Sequence, residues 1–94
     1  MVKKEVFEHD EKKDSAVIKE AIEKYENYEE AAKWLSSVWQ RRYGSEFGGV
    51  IELQYNLAEN TFTLIAGKEQ RVFEANEISE IPAQIKFLRK GVER

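Results

Sequence analysis

The residues best equipped for recognition chemistry lie in one stretch: Trp34, Trp39, Arg41, Arg42 and Tyr43. Tryptophan, tyrosine and arginine dominate binding hot spots, because rigid rings and a planar five-donor fork make many contacts from few rotamers. The same types stack on bases and hold phosphates in single-stranded nucleic acids. Helical spacing sets Trp39 and Tyr43 on the apolar stripe of their segment and leaves Trp34 at its edge, about 100° from Leu35. These five residues are the candidate partner-binding site. Lys86, Arg89, Lys90 and Arg94 form a second basic group, whose plainer role is favourable charge at a helix C-terminus.

Other chemistries find weaker footing. His9 is the sole histidine and sits among Glu8, Asp10 and Glu11, so a metal or base role would need partners from elsewhere in the chain. Ser36 and Ser37 are adjacent but lack the surroundings of a nucleophile motif. Gly44, Gly48 and Gly49 follow a helix and enter a strand, the reverse of a phosphate-cradling loop that opens a helix. Glu20, Glu23, Glu26, Glu29 and Glu30 lie on the polar side of expected helices, where glutamate is simply a good helix former. The stretch from 5 to 30 nevertheless holds ten acids against four lysines, an acidic surface that suits a basic partner. No catalytic residue, metal site or cofactor is assigned, and an enzyme is not expected.

The elements that must position these groups centre on residues 50–75. Ile51, Leu53, Tyr55 and Leu57, then Phe62, Leu64 and Ala66, recur at every second residue, as in strands buried on one face. A turn at Glu59-Asn60 would pair Leu57 with Phe62, Tyr55 with Leu64 and Leu53 with Ala66, whereas a one-residue slip would set the two apolar rows on opposite faces. Gly67-Lys68 supplies the next turn and pairs Phe62 with Phe73; a Lys68-Glu69 turn would pair Leu64 with Phe73 instead. The opposite face, with Glu52, Gln54, Asn56, Thr63, Gln70 and Glu74 and only Val50, Ile65 and Val72 apolar, reads as solvent-facing. A sheet apolar on one side needs helices to cover it.

Val17, Ile18, Ala21, Ile22 and Tyr25 recur at helical spacing after an N-cap at Asp14 or Ser15. Asn27 and Glu30 then resemble a capping box opening a second helix, with Tyr28, Ala31, Ala32, Leu35, Val38, Trp39 and Tyr43 on its inner face. A break near Glu26-Asn27 is preferred, although the stripes are close enough in phase for one unbroken helix. Gly44 fits the left-handed position that ends helices. Pro82 opens a short final helix, with Ile85, Leu88 and Val92 inward. Residues 1–14 are densely charged, with Val2, Val6 and Phe7 as large apolar groups, and read as a tail or a short edge strand over Val2–Phe7.

The expected fold is therefore α+β: two N-terminal helices, a three-stranded antiparallel meander covered on one face by helices, and a short C-terminal helix. Residues 15–94 form its single domain. The 94 residues carry 15 basic and 18 acidic side chains, net charge −3, and no cysteine. A disulfide framework and a thiolate metal site are thereby excluded, and the acidic balance disfavours binding driven mainly by phosphates. No apolar run approaches the ~20 residues of a membrane span, so a cytoplasmic protein is expected. Two function classes follow. One is a non-enzymatic protein-binding adaptor, regulator or inhibitor, monomeric or a two-fold homodimer; the other is a nucleic-acid accessory protein using Arg41, Arg42 and the C-terminal basic group.

Overall fold

The computed structural model describes residues 2–93, with side chains placed from Val6 to Gly91. Three helices, α1 (Val2–Lys24), α2 (Tyr28–Tyr43) and α3 (Ile81–Glu93), accompany three strands, β1 (Ile51–Asn56), β2 (Thr61–Ala66) and β3 (Glu69–Glu74). Two 3-10 turns, Gly44–Phe47 and Ala75–Glu80, join α2 to β1 and β3 to α3. The strands form one antiparallel meander with β2 central. The architecture is the expected α+β.

The inner face of the sheet buries Ile51, Leu53, Phe62, Leu64, Ala66 and Phe73. Leu35 and Trp39 from α2 and Ile81 and Ile85 from α3 complete this core. The outer face exposes Glu52, Gln54, Asn56, Gln70, Val72 and Glu74. α2 lies along β1, while α1 packs mainly against α2 and α3.

Four expectations need correction. Residues 2–14 are neither tail nor edge strand but the first half of α1, so they belong to the same body as the rest. Phe7, Asp14, Ile18 and Ala21 are buried on one helical face, with Asp10 and Glu11 half-buried between them. The helical period is present but is interrupted by carboxylates whose counter-charges lie far off in sequence.

The second correction is the β1–β2 register. Tyr55 pairs with Phe62, Leu53 with Leu64 and Ile51 with Ala66, a shift of two residues that preserves the facing of the paired side chains but takes Leu57 out of the strand. The turn is four residues, 57–60. Asn56 Oδ1 accepts from Glu59 N at 3.1 Å, Asn60 takes the left-handed φ of 55° that asparagine tolerates better than most residues, and Leu57 is left 82 % exposed. The β2–β3 register follows the Gly67-Lys68 turn, with Phe62 opposite Phe73.

Third, Gly44 is right-handed, φ −53°; the left-handed positions are Gly48 and Gly49. Gly44 instead makes room for Gln40: a Cβ there would stand 2.4 Å from Gln40 Nε2, so the amide would have to move aside. The break before α2 is real. Asn27 is extended and its Oδ1 accepts from the backbone N of Glu29 and Glu30 at 2.8 and 3.2 Å. Fourth, neither Asp14 nor Ser15 caps a helix, since both lie inside α1.

Candidate functional site

Trp39, Arg42 and Tyr43 lie at the contact between α2 and α1. Trp39 and Tyr43 are 0 % and 2 % exposed, and all three side chains converge on Asp14 of α1. Asp14 Oδ1 accepts from Trp39 Nε1 at 2.9 Å and from Arg42 at 2.8 Å; Oδ2 accepts from the Tyr43 hydroxyl at 2.8 Å. Spacing along α2 explains the convergence: residues 39, 42 and 43 lie three and four apart, on one helical side. Burial holds the Asp14 carboxyl above the usual carboxylate range, with the hydroxyl, the indole and Arg42 pulling the other way. Burial and the Asp14 charge together push the Tyr43 phenol strongly up.

A second polar knot lies one helical turn earlier on α1. Arg89 of α3 is 7 % exposed and forks onto Glu46, Nε to Oε1 at 2.8 Å and NH2 to Oε2 at 3.1 Å. Its NH1 donates to Asp10 Oδ2 at 2.8 Å. The guanidinium lies over the rings of Tyr43 and Phe7, 4.4 and 4.8 Å from their centroids. Burial alone would lower its pKa, but bonds to Glu46 and Asp10 reverse the direction. Lys86 meets Glu11 at 2.7 Å, and that bond raises the lysine pKa.

The five expected binding residues are thus divided. Trp39, Arg42 and Tyr43 clasp α1. Trp34 is half-buried, with its ring 6.2 Å from that of Tyr25 and Lys24 Nζ 5.8 Å from its centroid. Arg41 is exposed. Of the C-terminal basic group, Lys86 and Arg89 hold carboxylates of α1, Lys90 is exposed, and Arg94 lies outside the described residues. Asp10, Asp14 and Glu46 were not recognisable as partners from the sequence; the one available signal was their spacing, with Asp14 falling on the stripe that links Phe7 to Ile18.

The two edges of the sheet differ. Along β1, the Ser36 hydroxyl of α2 accepts from Leu53 N at 2.8 Å, and its one proton is shared between Ala32 O at 2.8 Å and Leu53 O at 2.9 Å. Gln40 Oε1 accepts from Ile51 N at 3.2 Å, and its Nε2 donates to Gly49 O at 2.9 Å. Side chains of α2 therefore occupy the place of a fourth strand. Along β3, Ala75 N donates to Asn60 O, so alternation of the ladder turns the backbone groups of Gln70, Val72 and Glu74 outward. Glu77 accepts from Glu74 N at 2.9 Å, and Arg71 donates to Gln70 O at 2.9 Å. Among the described residues no side chain bonds the N–H or C=O of Val72, which is 66 % exposed.

Among the described residues there is no group of three or more His, Asp or Glu placed to hold a metal ion, and no helix is long and apolar enough to cross a membrane. Comparison with protein-family models, curated proteins and solved structures finds no match.

Proposed function

We propose that this is a small cytoplasmic binding module, without chemistry of its own, that docks an extended segment of a partner protein on β3 as an adaptor, regulator or inhibitor. The observation that supports this reading is the difference between the sheet edges. Along β1, Gln40 and Ser36 bond the outward N–H groups of Ile51 and Leu53, whereas along β3 side chains reach only Gln70 O and Glu74 N, and among the described residues none bonds the exposed Val72. An open strand edge supplies main-chain hydrogen bonds to an incoming strand, and alternate side chains supply selectivity. Glu69, Gln70 and Glu74 are also exposed along β3, which favours a segment carrying basic or amide side chains.

The test is Val72→Pro. Its N–H points away from β2, so proline there removes a docking donor without removing a ladder bond, as edge strands tolerate. The variant is expected to keep the far-UV spectrum of the parent and to lose the stoichiometric protein recovered by affinity purification with wild type. Equal recovery of that protein by a folded Val72→Pro variant would refute β3 as the docking edge. Recovery of salt-sensitive nucleic acid in its place would refute the protein-binding reading altogether.

A further inference from the structure

The face of α1 turned to the body presents three carboxylates to three cationic side chains. Asp10, Glu11 and Asp14 of α1 meet Arg89, Lys86 and Arg42 of the body. Nothing in these contacts depends on which copy of the chain supplies the helix. We propose that α1 exchanges between two copies, the break at Tyr25–Asn27 straightening so that the body of one protomer receives the α1 of its partner.

Three observations carry the exchange. The connection contains neither glycine nor proline, and the break rests on the extended Asn27, φ −127°, and its two side-chain bonds; each connecting residue is able to adopt helical angles. The apolar stripe also stays in phase across the break. From Ile18 through Ala21, Tyr25, Tyr28 and Ala32 to Leu35 the steps are three, four, three, four and three residues, the period of a helix-packing seam with no skip at the connection. Last, α1 and α2 form a tight antiparallel hairpin: Asp14 lies against Trp39 and Tyr43, and Tyr25 against Trp34. Straightening two such hairpins about a two-fold axis at the connection yields an antiparallel pair of long helices in which each α1 meets the other α2 through those same contacts. Such exchange is a low-cost route to a dimer, because the contacts broken on opening are restored on closing.

The proposal is separate from docking on β3, and its experiment keeps the two apart. Light scattering after size exclusion, at about 10 μM to 1 mM, is expected to show a dimer that grows with concentration. Asn27→Ala, which removes the cap from both connections, is expected to raise the dimer association constant about tenfold or more, since each cap favours the bent form by a factor of roughly five. Tyr28→Pro is expected to abolish it: Asn27, at φ −127° and ψ 123°, suits the residue before proline, whereas a continuous helix would clash with the ring. A co-refolded mixture of Glu11→Cys chains and Lys86→Cys chains, treated with a short thiol cross-linker, is expected to give a covalent dimer, because those side chains touch at 2.7 Å and the parent has no cysteine. An Asn27→Ala protein that stays monomeric at about 1 mM would overturn the proposal. So would a dimer without that cross-link, a dimer that survives Tyr28→Pro, or one abolished by Val72→Pro, which would be edge pairing instead.

Discussion

Replacing Asp14 by alanine isolates what the buried carboxylate contributes. The change strands the Trp39 indole N–H and the Tyr43 hydroxyl, both on side chains almost wholly enclosed, at about 1–3 kcal/mol for each buried donor left unpaired. Arg42 loses its counter-charge too, but its side chain is 29 % exposed and water replaces much of that interaction. Against this stands relief of the desolvation that holds the Asp14 pKa up. The balance is a loss of about 3 kcal/mol, a large share of the roughly 5–10 kcal/mol expected for a domain of this size. Asp14→Asn keeps an acceptor for Trp39 and Arg42 and should lose only about 1–2 kcal/mol. Urea melts with matched slopes measure both. A loss under about 1 kcal/mol for alanine, or a larger loss for asparagine than for alanine, would refute the reasoning. The pH dependence has a definite sign: because the folded pKa is raised, the contribution of Asp14 is full below its unfolded value and is lost as pH rises through the folded value. The gap between wild type and Asp14→Asn should therefore narrow from about pH 4 upward.

Phe62→Ala should cost about 3–5 kcal/mol, because its ring is fully buried, and Leu57→Ala should change stability by less than about 0.5 kcal/mol; denaturant melts in the reverse order would contradict the observed turn. Gly44→Ala should destabilise the parent by displacing Gln40 from Ile51 N and Gly49 O, yet stabilise a Gln40→Ala protein by up to about 1 kcal/mol through helix propensity. Equal effects in the two backgrounds, measured as melting midpoints, would contradict that contact. Arg89→Lys should lose about 2–4 kcal/mol despite keeping the charge, because an ammonium cannot fork onto Glu46, reach Asp10 and stack on two rings together; calorimetry showing an unchanged midpoint would refute this.

The sheet was legible because its signal is local. Alternation from Ile51 to Phe73 fixes which side chains face inward, and parity survives an error of two residues in register, as it did between β1 and β2. The register itself depended on Asn60, whose left-handed backbone and contact with the Tyr55 hydroxyl set the turn length; an Asn two residues before the apolar row resumes was compatible with either turn. Asn27 was legible for the opposite reason, since a cap is read from its own side chain and the two residues that follow it. Gly44 was misread because a glycine after a helix usually ends it in the left-handed region, whereas here the need for glycine comes from Gln40, reaching past it to the edge of β1.

The first half of α1 hid for an electrostatic reason that also bears on the binding cluster. Asp10, Glu11 and Asp14 interrupt an apolar stripe and, taken alone, signal a solvated segment; Arg42, Lys86 and Arg89, taken alone, signal a surface for anions. Each reading fails through the same missing fact, that α1 packs against both α2 and α3 and brings the two sets together. The sequence suggested a site for an acidic or anionic partner near Trp39, Arg42 and Tyr43, and in chemical terms such a site exists; its occupant is a helix of the chain itself. Because Asp14 and Arg89 are almost fully enclosed, removing α1 would take the Asp14 carboxylate from Trp39, Arg42 and Tyr43 and leave Arg89 with Glu46 alone. The helix and the groove therefore stabilise each other, and any partner that displaces α1 must bring carboxylates at the same spacing.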